Sequence, residues 1–358
     1  MTFKPQTFQT SNIQTFQTIL MDKFPQTDPW CIVEENFNVK NQLDSETVFS
    51  LGNGRIVQRG NLEEYYSGDT IQGSYIAGNF KPVNGISLKS DFPEASTNHD
   101  IVNAPSWINI IVRLNEEKLD LAVWEIINFK RVLNLKDCML ERTFEAISLK
   151  GHHISVSVKR FLSMAETEVG AISYSVKSLN FVGRISFMPV IDGDLSEYYS
   201  SDIEPIWNVL QSKTQQEVAH LWTQTRHTNF HVCTALAYDL YKNNEHVHII
   251  PTKIEKEKIA GFSTGIDVKS GDTLCLNKYV AILNSLNHPL KELTVKACEL
   301  ALMTKHKGWN KLYEEHSLIC KNKWQNSGID LERNHSDVQA NLLSLFLSYQ
   351  DVENKVEL

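Results

Sequence analysis

Four pairs of acidic residues are the first places in this sequence to look for chemistry, because two facing carboxylates can divide acid and base work between them. The pairs are Glu63-Glu64, Glu116-Glu117, Asp192/Asp194 and Glu314-Glu315. Neighbouring side chains point to opposite faces of a strand, and on a helix they diverge by about 100°. We therefore expect these acids to lie on solvated turns or helix faces and not to act as catalytic pairs.

A metal site would require histidine, cysteine or carboxylate ligands at suitable spacing. His246-Val247-His248 places two imidazoles on one face of a strand, but no Cys or carboxylate stands at ligand spacing beside them. The six cysteines lie tens of residues apart without a C-x-x-C pair, so we expect reduced thiols. The sequence predicts no metal site and no cofactor.

The elements that position these residues are mostly strands. Residues 154–159 alternate strictly between apolar and polar side chains, and residues 172–177 repeat the pattern. Further strands are expected at 108–114, 119–127, 182–190, 228–236 and 273–283. Many strands without intervening helices predict a mainly β fold, a large antiparallel sandwich in which each sheet has one buried and one wetter face.

Helical spacing replaces this pattern towards the C-terminus. Pro289 and Gly308 mark the expected ends of a first helix. Its apolar stripe consists of Leu290, Leu293, Ala297, Leu300 and Ala301. A second helix is expected to end at 326–328 and carries Leu312, His316, Ile319, Cys320 and Trp324 on or near one face. Both patterns are typical of helices that bury one side.

A third helix is predicted at residues 336–350. Ser336 and Gln339 have the spacing of a capping box, and apolar residues cover most of the circumference. A helix of this kind needs burial on nearly all sides. We expect it to pack against a second copy of the chain or against the helices at 289–325.

The longest informative motif is PWCIVEENFNVKNQLDSETVFSLGNGRIVQRGNLEE at residues 29–64. It predicts a strand at 47–49, a Gly52-Asn53-Gly54 turn with positive φ, and a second strand that ends at Arg59-Gly60-Asn61. The whole stretch resembles the N-terminal domain of glycoside hydrolase family 65, the maltose, trehalose and kojibiose phosphorylases and related trehalases. The resemblance continues at 75–78, 100–107 and 160–163, at Glu315-His316 and Trp324, and at 329–339.

Several positions depart from the family pattern. The usual Tyr and second Gly of the hairpin are Arg55 and Val57, and Cys320 replaces the first of two tryptophans. The Gly-Asp expected before Gln339 is also missing. These differences indicate a diverged member.

The resemblance implies a super-β-sandwich like that of galactose mutarotase, a helical linker and an (α/α)6 barrel. In such enzymes the barrel carries the acid glutamate, and inorganic phosphate (or water) attacks the anomeric carbon with inversion. It implies the sandwich at 28–286, the linker at 287–327 and a truncated barrel start at 328–358, while the Gln/Thr-rich, low-complexity composition of residues 1–27 predicts a mobile leader. Residues that match the catalytic acid are not present, so the resemblance implies a non-catalytic portion.

Arg59 and Glu63, inside the best-matched motif, are the candidate substrate-binding residues. Arg59 can pair with a nearby acid to lock the hairpin, or it can help to present a loop towards the sugar site of the barrel. The tryptophans that can stack on sugars, but are more typical of core packing, are Trp30, Trp107, Trp124, Trp207 and Trp222.

The expected partners are an α-linked glucose disaccharide or a related sugar, together with a second copy of the chain or a separate catalytic half. Two alternatives stay open. One is a free-standing carbohydrate-binding or dimer-forming module. The other is a mutarotase-like enzyme with a His/Glu set, although its histidines are scattered along the sequence.

Composition excludes other classes. The chain has 358 residues, with 43 acidic against 35 basic side chains and a net charge of -8, which argues against a nucleic-acid or anionic-membrane surface. No apolar run is long enough to span a bilayer, and no secretory signal is recognisable. We expect a cytoplasmic protein.

Overall fold

The computed structural model describes residues 28, 30–82, 99–194, 206–226 and 228–326. The expected leader at 1–27, the barrel start at 328–358 and the helix at 336–350 lie outside the described residues.

Within those ranges the chain forms nineteen strands and three α-helices. The strands are β1 Cys31–Glu35, β2 Leu51–Gly52, β3 Ile56–Gln58, β4 Ser74–Pro82, β5 His99–Asn103, β6 Ile110–Leu114, β7 Glu117–Lys118, β8 Glu125–Asn134, β9 Met139–Ile147, β10 His153–Leu162, β11 Val169–Ser178, β12 Gly183–Asp192, β13 Trp207–Thr214, β14 Ala219–Thr225, β15 His231–Lys242, β16 Glu245–His246, β17 Thr252–Lys256, β18 Ile259–Val268 and β19 Thr273–Asn284. The helices are α1 Gln42–Val48, α2 Leu293–Lys307 and α3 Trp309–Gln325.

The strands form three sheets in which every pairing is antiparallel. The large sheet has the order β1-β8-β9-β10-β11-β19-β15-β14-β13, and β16 pairs with β15. The second sheet is β17-β18-β12-β6-β7, and the third is β2-β3-β4-β5. This confirms the mainly β class and the large antiparallel sandwich.

The alternating pattern at 154–159 buries every second side chain of β10, as expected. Val156 pairs with Val176 and Val158 with Tyr174, and all four side chains are buried. Across the sandwich, the Tyr174 ring lies 6.1 Å from that of Phe187 in β12. Burial of each large apolar side chain stabilises the fold by about 1.5–3 kcal/mol, so this inter-sheet layer is the main source of stability.

The prediction that each sheet has a wetter face is wrong for the middle of the large sheet. Ala235, Ala237 and Ala281 line its outer face and contact Ala297 and Ala301 of α2. Further along, Phe161 and Tyr279 pack against Leu312 of α3. Small side chains let a helix approach the sheet closely, so α2 and α3 bury this face as well.

Three boundaries differ from expectation. Residues 47–49, predicted as a strand, end helix α1, where the Phe49 N–H donates to the carbonyl of Ser45 at 2.9 Å. Residues 119–124 form a turn that Asp120 closes by accepting from the Trp124 N–H at 2.9 Å, so the strand there starts only at 125. Helix α2 begins at Leu293 and not at Pro289.

Candidate functional site

The family hairpin is built around Asn53 and Gly54. Gly54 has φ of 87°, which confirms the positive-φ turn. The Asn53 side-chain oxygen accepts from the N–H groups of Arg55 and Ile56 at 3.1 and 3.0 Å. Its amide nitrogen donates to the carbonyl of Ser163 at 2.9 Å. The turn therefore fixes the small β2–β3 hairpin to the end of β10.

Arg59 joins helix α1 to the loop before β4. Its Nε donates to the carbonyl of Ile71 at 3.1 Å, and its Nη2 donates to Oγ1 of Thr47 at 2.9 Å. Gly73 packs on the same side chain so closely that an added Cβ would lie 2.2 Å from Cδ of Arg59. These partners are carbonyl and hydroxyl oxygens, so the contacts that lock this region run through neutral groups.

Glu63 lies at the centre of a buried ion-pair network. Its Oε1 lies 2.7 Å from Nη1 of Arg160, and its Oε2 lies 2.7 Å from Nη2 of Arg142. Burial acts to raise the pKa of Glu63, but the charges of Arg160 and Arg142 outweigh it and hold that pKa below its ordinary value. Near neutral pH Glu63 is therefore a carboxylate without a proton to donate.

Glu64 shares this network. Its carboxylate accepts from both terminal nitrogens of Arg142, at 2.6 and 2.5 Å. The expectation that Glu63 and Glu64 occupy a solvated turn and point apart is wrong, since both are buried and both bind Arg142. The reason is that residues 63–64 lie in an irregular segment, where strand alternation does not apply.

The other acid pairs are only partly on the surface, because Asp192 and Glu117 are half-buried at strand positions, while Asp194, Glu116 and Glu314 are exposed. The Asp194 carboxylate pairs with Lys258 at 2.7 Å, and Glu117 contacts His152 at 2.7 Å. Glu314 and Glu315 lie on the outer side of α3 and pair with lysines of the same helical region. None of these geometries holds two carboxylates around a common substrate.

The tryptophans mostly serve packing. Trp107, Trp124 and Trp207 are buried in the core, which confirms the packing interpretation for these three. The half-buried Trp30 meets Trp324 edge-on with ring centroids 5.2 Å apart. Trp222 is half-buried beside α2.

Lys278 is a buried amine that sequence analysis did not single out. Burial lowers its pKa well below the ordinary value. Its Nζ donates to the carbonyls of Asn109 and Val190 at 3.0 and 2.8 Å. Because β19 belongs to the large sheet and Val190 to the second sheet, Lys278 acts as a polar tie across the sandwich.

Helix α3 is attached to the sandwich through residues of the family motif. His316 accepts from the Met164 N–H at 3.1 Å through Nδ1 and donates to the carbonyl of Asp137 at 2.8 Å through Nε2. Its ring stacks on Phe161 with centroids 4.5 Å apart. Trp324 donates to the carbonyl of Leu135 at 3.0 Å. Helix α3 thus has a fixed orientation on the sandwich.

Cys320, which departs from the family pattern, lies inside this attachment. Its thiol is buried, and a hydrogen bond from the Cys138 thiol lowers the pKa of Cys320 to about 6. The same contact raises the pKa of Cys138. All six cysteines lie within the described ranges and none forms a disulfide.

A pocket of about 110 Å³ lies between the β15–β16 hairpin and helix α2. Its polar lining includes Glu217, Tyr238, Asp239, His246, His248 and Lys305. His246 contacts Asp239 and His248, both at 3.2 Å. Sequence analysis missed this grouping, although the Asn243-Asn244 turn between alternating runs is a hairpin signal that would have brought Asp239 back beside the histidines.

The described part of the chain contains neither a three-ligand metal site nor a helix that could span a membrane. Within it, no group of three or more His, Cys, Asp or Glu side chains is arranged to hold a metal ion. None of its helices combines the length and apolar character needed to cross a membrane.

Comparison with known proteins gives a consistent assignment. Residues 32–323 match the model of glycosyl hydrolase family 65, N-terminal domain. The maltose phosphorylase of Bacillus subtilis is 28% identical over 331 residues, which cover 90% of this chain and 42% of that protein. The alpha,alpha-trehalose phosphorylase of Thermoanaerobacter brockii is 24% identical over 316 residues, 85% of this chain and 40% of that protein.

The same fold occurs in a solved structure. A putative kojibiose phosphorylase from human microbiome superposes with a TM-score of 0.80 at 22% identity, covering 92% of this chain and 42% of that one. The chain therefore spans about two fifths of the length of these relatives. From the extent of the family match, the chain belongs to glycosyl hydrolase family 65, and residues 32–323 correspond to the N-terminal domain of that family.

Proposed function

We propose that this chain supplies the sandwich and helical linker of a carbohydrate-active enzyme that resembles the inverting phosphorylases and hydrolases of α-linked glucose disaccharides. In this proposal the chain performs no turnover by itself. Inorganic phosphate is the co-substrate only of the complete phosphorylase. The match to the N-terminal domain over residues 32–323 is the observation that carries the proposal.

The buried acids support a non-catalytic role. An inverting reaction uses a carboxylic acid with a raised pKa, and a second group about 6.5–9.5 Å away must leave room for the nucleophile. Glu63 has the opposite character, because its pKa is lowered and each of its oxygens is held by an arginine. Arg142 and Arg160 are in turn neutralised in the interior, which leaves them unsuited to bind phosphate.

Positioning is the role proposed for Arg59 and Glu63. Glu63 holds Arg160, whose Nη2 donates to the carbonyl of Arg59 at 3.1 Å. Arg59 in turn fixes the loop at 70–73 through Ile71. This chain of contacts supports a loop presented towards the sugar site of a catalytic part, without direct contact between Glu63 and the sugar.

The linker and the thiols fit the same proposal. Attachment through His316 and Trp324 fixes the direction in which helix α3 leaves the sandwich, and this direction would orient a following catalytic part. The partner is that catalytic part or a second copy of the chain. Six thiols without a disulfide suit the reducing cytoplasm, which we propose as the location.

A carbohydrate-binding module is the second candidate, favoured by the pocket beside Tyr238 and Asp239. Carbohydrate sites combine an aromatic face with polar groups that converge on hydroxyls. A mutarotase-like activity would also require an acid and a base in one groove. Direct assays separate these possibilities.

The test uses the purified 358-residue chain with maltose, trehalose and kojibiose, each with and without inorganic phosphate. We expect no consumption of phosphate and no release of glucose above a buffer control. Steady turnover that survives repurification and is abolished by Glu63→Gln in a folded variant would contradict the proposal. Calorimetric titration with the same sugars tests the binding module, and the optical rotation of fresh α-glucose tests mutarotation.

A further inference from the structure

A tight hairpin places three potential metal-binding or metal-orienting side chains on one face of the large sheet. Asn243 and Asn244 join β15 to β16 with φ of 51° and 69°, a conformation that matches the twist of the strands. Tyr241 pairs with His246, and the Val247 N–H donates to the carbonyl of Leu240 at 2.8 Å. Continued by two residues, this register sets Asp239 opposite His248, on the same face as His246.

The two imidazoles face each other at a distance suited to a shared ion. Nδ1 of His246 lies 3.2 Å from Nε2 of His248. With metal–nitrogen bonds of about 2.0–2.1 Å, this separation gives an N–metal–N angle of about 100°. Such an angle lies between those of octahedral and tetrahedral sites, so one metal ion can bridge both nitrogens.

Asp239 sets the tautomer of His246. Its Oδ1 lies 3.2 Å from Nε2 of His246, so the carboxylate accepts the Nε2–H, and Nδ1, the nitrogen 3.2 Å from His248, carries the lone pair. Histidines that bind metals commonly donate their second ring N–H to a carboxylate in this way. Without metal, His248 donates its Nε2–H to Nδ1 of His246. Metal binding then requires that proton to move to Nδ1 of the same ring, with no net change in charge.

Among the charged residues that line the pocket, acids outnumber bases. Lys305 pairs with Glu217 at 3.0 Å and lies 3.9 Å from Asp239, so two carboxylates face a single ammonium group. The side chain of His246 is 37% exposed, which gives an ion access from solvent. The adjoining pocket of about 110 Å³ is large enough for waters to complete the coordination.

We propose that His246 and His248 form a two-histidine site for a divalent transition metal such as Zn²⁺, Ni²⁺ or Cu²⁺, oriented by Asp239 and completed by water. Imidazole nitrogen favours these ions over Mg²⁺ and Ca²⁺, which prefer oxygen ligands. The sequence predicted no metal site because no Cys or carboxylate stands at ligand spacing beside the two histidines along the chain. In the folded hairpin, Asp239 of β15 supplies the carboxylate that orients His246 of β16.

The test is a calorimetric titration of the full chain with ZnCl2 and, separately, NiCl2 near pH 7.5. We expect saturable binding of one ion per chain, reduced at least tenfold by His246→Ala and by His248→Ala. Asp239→Asn should weaken binding roughly 10- to 100-fold, as for other groups that orient a metal ligand. His153→Ala is the matched control, because His153 also pairs with a carboxylate, Glu145 at 2.7 Å.

A second readout identifies the ligands independently of affinity. Electron paramagnetic resonance of the Cu²⁺-loaded chain should show two imidazole nitrogens, and one in either single variant. Circular dichroism checks that each variant is folded, which matters most for Asp239→Asn because Asp239 is buried. Binding that is unchanged in the His246→Ala/His248→Ala double variant, or the absence of saturable binding to the wild-type chain, would overturn the proposal.

Discussion

The Glu63 carboxylate and the Arg160 guanidinium meet at 2.7 Å in the interior of the sandwich, and Arg160 also donates to the carbonyls of Arg59 and Asn61. The acid therefore supports the backbone of the family motif through an arginine that lies 97 residues further along the chain. A buried pair of this kind depends on both partners, because removal of one leaves an uncompensated charge.

Glu63→Gln tests this dependence. The amide cannot neutralise Arg160 and Arg142, so we expect a loss of about 3–5 kcal/mol in the free energy of unfolding, measured by urea denaturation. Glu314→Gln is the control, since Glu314 and Lys311 are both largely exposed and 3.6 Å apart. It should cost less than about 1 kcal/mol. A Glu63→Gln variant as stable as the control would show that the network contributes little.

The same pair predicts a dependence on pH. Because the pKa of Glu63 is lower in the folded chain, its stabilising contribution is complete above the ordinary value of 4.5 and is lost as pH falls through the folded value. The stability difference between wild type and Glu63→Gln should therefore be constant from pH 7 to 5 and shrink in more acidic solution. Urea titrations at pH 7, 5, 4 and 3.5 measure it. A difference that grows towards acid would refute the assigned direction.

Gly54→Ala tests the family turn. With φ of 87°, a side chain at this position is strained, so we expect a loss of about 1 kcal/mol and a lower melting temperature. Arg55→Tyr, which restores the family residue, should leave the melting temperature unchanged. The Arg55 side chain is 46% exposed and pairs with Glu168 at 3.3 Å. Equal melting temperatures for Gly54→Ala and wild type would contradict the prediction.

Arg59→Lys tests the two guanidinium hydrogen bonds that join the loop at 70–73 to helix α1. A single ammonium cannot replace the separate contacts to Ile71 and Thr47, so we expect a loss of about 1–2 kcal/mol. Amide hydrogen exchange should speed up at 70–73 more than in the sandwich core. Arg184→Lys serves as the control, because that side chain is 53% exposed and 3.9 Å from Asp267. Unchanged exchange at 70–73 would exclude the positioning role.

The strands were predicted best where buried and exposed side chains alternate regularly along the sequence. The alternation at 154–159 follows directly from the two faces of β10, whereas 47–49 has strand-forming residues and nevertheless ends a helix. There, tertiary contacts override local preference, because the Glu46 carboxylate accepts hydrogen bonds from Thr70 and from the Ile71 N–H. The Glu63 network joins distant segments, and residue spacing carries no information about such pairing.

The last prediction concerns the attachment of helix α3. His316→Ala removes partners from the Met164 N–H and the Asp137 carbonyl and removes the ring that stacks on Phe161. Buried groups left without partners cost about 1–3 kcal/mol each, so we expect a loss of at least about 2 kcal/mol. Limited proteolysis should then cleave between the sandwich and the helices earlier than in wild type. Leu318→Ala, on the same helix but 58% exposed, should behave like wild type. If both variants are cleaved at the wild-type rate, His316 does not hold the linker, and the orientation proposed for a following catalytic part loses its support.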